Sequence, residues 1–375
     1  MSNYTYYIYK GLRECTWALL LVILASCTDR RDLWVMADEY RQLELVTDWS
    51  EADDYPGGMT AWFIDNDGSG YTRNFKTAEV EHTWLGLPRG NYMGMVFDYS
   101  PEEYSHNEFV NMDNPDLAML KLRPAANQPV LGDTVNEALF GDIAVPEPMK
   151  GLERNPNTGF YVVKAEPDPI NLDVLGDVEV VTGTEGDYVL WRKRGEYESS
   201  LVTQTLYAQP KPITWRLHVL VNVKGIIYMH SLRASVVGLA DGYLMGQGMH
   251  SEEVCIQSLD DWSINVTGEN EGNVTTSTLT FGLPEDVTAT REEIHQFINN
   301  LRLNLSFLLR DEVTVKNYHF DCVPYVSIYE DQLVVRVVIP IDVAPELPYV
   351  NAKGGTGFDA NVTPWENGGS AEATM

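Results

Sequence analysis

An all-β fold is what this sequence predicts, and three observations carry that expectation. Apolar residues alternate with polar ones at a period of two, turn-forming residues interrupt the alternating runs at short intervals, and helix-start signals are scarce. Trp215, Leu217, Val219, Val221 and Val223 alternate with Arg216, His218, Leu220 and Asn222 over the length of one strand. Leu301, Leu303, Leu305 and Phe307 alternate in the same way with Arg302, Asn304 and Ser306. Residues 333–343 are rich in Val and Ile and read as a buried strand. Residues 59–64, 82–87 and 92–99 are strand-like, parted by the turns Asp65-Asn66-Asp67-Gly68-Ser69-Gly70 and Pro88-Arg89-Gly90-Asn91. Such short, punctuated strands point to sandwiches.

Helix is expected in two places only. Thr290 and Glu293 form a capping box ahead of Ile294, Phe297 and Ile298, which predicts a short helix over 291–299. A turn of helix is expected within 111–120. Residues 145–172 carry Pro146, Pro148, Pro156, Pro167 and Pro169 and read as an excursion outside the core. The stretch Gln209-Pro210-Lys211-Pro212 precedes the strong strand after it, so a domain boundary is placed near 207. The expected division is a leader over 1–26, one sandwich over 27–206 and a second over 207–375.

The leader carries the first chemistry. Lys10 and Arg13 precede the uncharged run Trp17-Ala18-Leu19-Leu20-Leu21-Val22-Ile23-Leu24-Ala25, which ends at Ser26-Cys27. A positive start, a short apolar core and small residues at its end mark a secretory signal, and the run is shorter than the ~20 residues that span a bilayer. Leu24-Ala25-Ser26-Cys27 resembles the lipobox of bacterial lipoproteins. That resemblance implies acylation of Cys27 and cleavage that leaves it as the first residue, with more than one acyl chain for a firm hold.

The 375 residues include 26 basic and 55 acidic side chains, a net charge of -29. Removing the leader takes away Lys10, Arg13 and Glu14, which leaves the mature chain more acidic still. An apolar fraction of 44% excludes a disordered chain. The acidity excludes nucleic acid, whose binders need positive footprints. It also disfavours adsorption to anionic lipid, so Cys27 is the expected membrane contact. Beyond the leader only Cys255 and Cys322 remain to pair. A bridge between them would close a long loop worth about 4 kcal/mol in the chain-entropy model; alternatively each is a small buried apolar residue.

Motifs for catalysis are missing. The seven histidines show no HExxH spacing, and no GxSxG, P-loop, dinucleotide fingerprint or CxxC occurs. No cofactor or metal is expected. Asp65 to Gly70 lacks the alternating ligands and later Glu of an EF-hand and reads as a hairpin turn. Trp62 and Trp215 fall in strand phase and read as core; the other tryptophans leave a sugar-binding platform open but unlocated.

Three segments together carry a family resemblance. Residues Leu85-Gly86-Leu87-Pro88-Arg89-Gly90-Asn91-Tyr92-Met93-Gly94-Met95-Val96-Phe97-Asp98-Tyr99 resemble a strand pair of fimbrillin-type lipoproteins, the subunits and anchors of type V pili from Bacteroidales. The stretch from Leu232 through Val237 to Tyr243 resembles an element of that family's second domain, and Phe358-Asp359-Ala360-Asn361-Val362-Thr363-Pro364-Trp365 its closing strand. The resemblance implies two transthyretin-like β-sandwich domains in tandem and no enzymatic activity. It further implies a fimbrial anchor or accessory, adhesin-like subunit at the outer membrane, lipid-held and surface-exposed. Its partners would be other fimbrial subunits and a host or glycan ligand. Assembly would be by strand exchange, with Phe358, Val362 and Trp365 on the donor strand. Stalk subunits are trimmed after a basic residue; Arg30 and Arg31 lie too near Cys27 to free a strand, and Arg41 and Arg73 are the other candidates. The competing reading is a surface glycan-binding lipoprotein serving polysaccharide uptake.

Overall fold

The alternating run after 214 is a strand, Trp215–Lys224, whose residues are buried and half-buried in strict turn. Its five inward side chains are 5% exposed or less. At ~2 kcal/mol for each large apolar side chain, the strand contributes about 10 kcal/mol of gross burial. The computed structural model describes residues 40–126, 143–145, 152–180, 204–284, 295–296, 301–329 and 332–352. Among them the elements are strands almost throughout, with two single 3-10 turns at Ile226–Tyr228 and Ile341–Val343.

The first half of the chain holds β1 (Tyr40–Thr47), β2 (Met59–Asp65), β3 (Thr72–Thr77), β4 (His82–Pro88), β5 (Gly90–Asp98), β6 (Asn107–Val110), β7 (Met119–Leu122), β8 (Val163–Lys164), β9 (Asn171–Val180), β10 (Gln204–Ala208) and β11 (Lys211–Pro212). A three-stranded sheet, β10-β1-β4, faces a five-stranded sheet, β11-β9-β5-β2-β3. Leu43, Leu45, Leu85 and Leu87 from the smaller sheet share one core with Met59, Phe63, Tyr92, Val96 and Val178 from the larger. This is the first sandwich. The Pro88-Arg89-Gly90 link crosses from one sheet to the other and makes no hairpin, because β4 pairs with β1 while β5 pairs with β2 and β9. The Tyr92 hydroxyl donates to the Pro88 carbonyl at 3.1 Å and ties the crossing.

The second half holds β12 (Trp215–Lys224), β13 (Met229–Ala240), β14 (Gly242–Leu244), β15 (Met249–His250), β16 (Val254–Leu259), β17 (Ser263–Val266), β18 (Glu271–Thr280), β19 (His295–Gln296), β20 (Leu301–Leu309), β21 (Val315–Cys322), β22 (Tyr325–Tyr329) and β23 (Gln332–Ile339). Here a six-stranded sheet, β17-β18-β12-β23-β22-β19, packs on a five-stranded one, β21-β20-β13-β16-β8. Two pairings join the halves. β8 adds in parallel to β16, and a separate sheet, β15-β14-β7-β6, takes two strands from each half. The largest core runs unbroken across that junction, from Met93, Met95 and Phe97 on the second face of β5 to Leu217, Val236 and Phe307.

Three local expectations are corrected, and the turn of helix within 111–120 is found. Within 291–299 the described pair His295–Gln296 is strand, bonded to Val326 and Tyr325; sheet pairing overrides a local capping signal of about 1 kcal/mol. In 111–120 a single α-turn forms, its Ala118 N–H donating to the Asn114 carbonyl at 2.8 Å, and the chain then enters β7 at Met119. Asn111, at φ 54°, begins this segment in the left-handed region. The run 333–343 stops being strand at Ile339, since Pro340 has no N–H to give a ladder. The proline-rich excursion lies partly in the core: Val162, Val163, Ala165 and Ile170 are buried. Ile143, Val145, Leu152 and Tyr161 cover Val237 and Ile256 on the outer face of the second five-stranded sheet. Its prolines flank the short strand and so do not obstruct pairing.

Candidate functional site

The strand nearest the leader sits in the middle of its sheet. β1 runs parallel to β10 and antiparallel to β4. Leu43 and Leu45 point inward and are fully buried, and Glu44 and Val46 point out. β1 therefore fills a slot whose two walls are β10 and β4 and whose floor is the first core. Arg41 lies inside β1, opposite Leu87, and Arg73 lies inside the edge strand β3, opposite Phe63.

At the other end, the chain leaves β23 through Pro340 and the 3-10 turn, with Ile341 and Val343 exposed. It then folds back onto the end of β12. The Lys224 N–H donates to the Pro345 carbonyl at 2.9 Å, and the Leu347 N–H to the Lys224 carbonyl at 2.8 Å. Leu347 is buried. Gly225 makes this clamp possible: its φ is 74°, and a Cβ there would come within 2.2 Å of the Leu347 carbonyl oxygen. Residues beyond 352 thus start from the Gly225 end of the second sandwich, where Tyr349 meets Tyr228 edge to face.

Two polar networks, the first of them buried, brace the frame between these ends. The Asp98 carboxylate accepts from the Asn171 N–H at 3.0 Å, the Asn171 side-chain amide at 2.9 Å and the Tyr104 hydroxyl at 2.8 Å. Desolvation nevertheless pushes its pKa above the ordinary aspartate value, against those hydrogen bonds. Across the junction, Lys121 of β7 lies 3.0 Å from Asp241 and 3.4 Å from Glu253. Burial raises the Asp241 carboxyl, while the Lys121 hydrogen bond opposes that shift. Neither network is a catalytic constellation. Among the described residues, no group of three or more His, Cys, Asp or Glu side chains is placed to hold a metal ion.

The residues singled out from sequence fare differently. Cys27, Phe358, Val362 and Trp365 lie outside the described residues. Cys255 and Cys322 are free and buried, so the bridge between them is not formed. They sit on β16 and β21, with β13 and β20 between them. Three strand spacings amount to about 14 Å, whereas a disulfide needs Cα atoms within ~7 Å. Burial pushes the Cys322 thiol up to about 11, and the Cys255 thiol higher still. His218 is half-buried on the outward side of β12, its pKa lowered by desolvation and then by Arg216 and Arg336. Trp215 is core and Trp62 packs on the same core, whereas Trp84 is 47% exposed. The Asp65 loop is the β2–β3 hairpin turn: Asp65 accepts from the Asp67 N–H and from the Ser69 hydroxyl, and Gly68 takes a φ of 73°. No helix among the described residues is long and apolar enough to cross a membrane.

Fold and geometry define a class, a tandem β-sandwich protein whose halves share a sheet. A candidate adhesin from Bacteroides ovatus ATCC 8483 has this fold: it superposes with a TM-score of 0.53 at 14% identity, covering 86% of this chain and 98% of that one. The fimbrial anchor protein Mfa2 from Porphyromonas gingivalis aligns over 79% of this chain and 95% of its own, at 11% identity and a TM-score of 0.38. No curated protein matches the chain. A family model described as a domain of unknown function, DUF5119, matches residues 26–260, and the chain belongs to that family.

Proposed function

We propose that the protein is a non-enzymatic cell-surface lipoprotein, an anchor or accessory, adhesin-like subunit of a fimbrium. In this reading the mature chain begins at Cys27, is held to the outer membrane by lipid there, and divides into two sandwiches near residue 207. It joins neighbouring subunits by strand exchange, with Phe358, Val362 and Trp365 on the donated segment. The fold shared with the candidate adhesin supports the surface role.

The seating of β1 is the observation that carries the anchor reading. Freeing an acceptor slot would require removal of β1 alone, and neither candidate basic residue achieves that. Cleavage after Arg41 leaves Leu43 and Leu45 in the core, and cleavage after Arg73 would sever β2, with Met59 and Phe63 of that core, along with β1. A chain that keeps β1 keeps the segment leading back to Cys27, and offers a neighbour its C-terminal end instead. Main-chain bonding along an exchanged strand supplies affinity without a catalytic step.

The test is co-purification from cells. The full chain is expected in the membrane fraction together with fimbrial subunits. Deleting 355–375 is expected to release the subunits while the chain stays with membranes. Cys27→Ser is expected to release the chain itself. Unchanged co-purification after the deletion overturns the donor role, and a Cys27→Ser chain that still fractionates with membranes overturns the anchor.

A further inference from the structure

The outward face of β10-β1-β4 combines exposed aromatic rings with a hydrogen-bonded polar cluster. Cross-strand register places Tyr207, Val46 and His82 in one row, and Thr205, Glu44 and Trp84 in the next. Tyr207 is 74% exposed and Trp84 47%. Two strand spacings across and two residues along put their Cα atoms about 12 Å apart on a diagonal. Between them, the Thr205 hydroxyl donates to Glu44 Oε2 at 2.8 Å, and His82 Nε2 lies 2.7 Å from Glu44 Oε1. The Thr205 and His82 hydrogen bonds hold the Glu44 carboxyl below its ordinary value, so it is ionised at neutral pH. The His82 ring also meets Trp84 edge to face at 5.7 Å, which fixes the indole. Gly86, beyond Trp84 on the same strand, leaves open space where a side chain would stand.

We propose that this face binds a neutral polysaccharide, with Trp84 and Tyr207 stacking on separate sugar rings and Glu44, His82 and Thr205 meeting the hydroxyls between them. Large, rigid amphipathic rings supply contact area at low entropic cost, and sugar rings present apolar C–H faces to them. The intervening carboxylate accepts from sugar hydroxyls, and the imidazole and threonine extend that polar strip. The broad face of a sheet suits an extended chain better than it suits a compact ligand.

Charge selects the occupant. A chain of net charge -29 with Glu44 central to the face repels uronic or sulfated glycans. The same charge disfavours anionic lipid headgroups, which basic side chains attract. The proposal does not depend on strand exchange, since the face lies on the broad side of the sheet and involves no strand edge.

Native gels cast with amylopectin, galactomannan or xyloglucan test it on the full chain in detergent. At least one polymer is expected to retard the wild type. Trp84→Ala and Tyr207→Ala are each expected to weaken that retardation about ten-fold, as truncation of an aromatic anchor does. Both side chains are solvent-facing, and unchanged melting temperatures check that the variants fold. Thr205→Val, which removes one donor but keeps the shape, is expected to weaken binding less than either. Free migration of the wild type on all three polymers overturns the proposal. So does retardation that both aromatic substitutions leave intact, or a loss confined to subunit co-purification, which would make the face a protein interface.

Discussion

Replacing Leu45 with alanine tests whether β1 is part of the folded frame. Leu45 is fully buried in the core that also contains Phe63, Leu85 and Val96. Burial of this kind puts a leucine-to-alanine change at 2–5 kcal/mol, and a rigid sandwich interior that cannot collapse around the cavity favours about 3. Val46, the next residue, faces outward and is half-buried. Its truncation should cost less than about 1 kcal/mol. Urea denaturation followed by tryptophan fluorescence separates the two. With a slope of about 3 kcal/mol per molar, Leu45→Ala should lower the midpoint by roughly 1 M and Val46→Ala by under about 0.3 M. Equal, small shifts would show that β1 contributes nothing to the core. A reversed order would mean that the strand is seated one residue out of register, since a single step exchanges the two faces.

Further outcomes follow from the polar networks and the thiols. Asp98→Ala should destabilise by about 3 kcal/mol, because it orphans the buried Asn171 donors, and Tyr104→Phe by about half as much; thermal melts measure both. Asp98 also links stability to pH. Its folded-state pKa is raised, so the native chain binds the proton more tightly than the unfolded one, and the stability tied to it declines as pH climbs from ~4 through the raised value. The deficit of Asp98→Asn relative to wild type should therefore be larger at pH 4 than at pH 7, and the opposite trend would contradict the shift. Gly225→Ala should cost several kcal/mol, about 1 from left-handed backbone and the rest from displacing Leu347, seen as a lower melting temperature and faster proteolysis near 347. Cys255 and Cys322 should resist a thiol reagent in the native chain and both react in denaturant without prior reduction.

Most of the strand content was legible because alternation is local. β12 and β20 were readable from their own residues, since one polar and one apolar face need no knowledge of the partner. Period-two alternation over residues 92–99 likewise puts Tyr92 and Val96 on one face, and both lie in the first core. What it could not convey is that β5 is buried on both sides, with Met93, Met95 and Phe97 serving a second core. That depends on β14 and β7, more than twenty residues away at the nearest. The burial within 145–172 escapes a local reading for the same reason: β8 is two residues long and exists only because β16 accepts it. Its prolines are a local signal, and the pairing is not. Cys255 and Cys322 show a similar limit, since composition permitted a bridge that strand order rules out. At the candidate site, strand phase marks Trp215 as core, but only the register of β4 against β1 places Trp84 on the outward face. No local signal marked Asp98, Tyr104 and Asn171 as one network, as they come together from positions 67 residues or more apart at the far partner.

The parallel pairings carry a mechanical consequence. In the first sandwich the entering strand β1 lies parallel to the leaving strand β10, and in the second β12 lies parallel to β23. When two strands run parallel, the start of one and the finish of the other lie at opposite ends of their ladder. A pull between residue 40 and residue 352 therefore slides each pair lengthwise and loads all its rungs together, where an antiparallel arrangement would open them one at a time. Survival under such tension is set by the rate of unfolding and not by equilibrium stability. Each half is thus strung as a shear joint, and the two joints lie in series between residue 40 and residue 352.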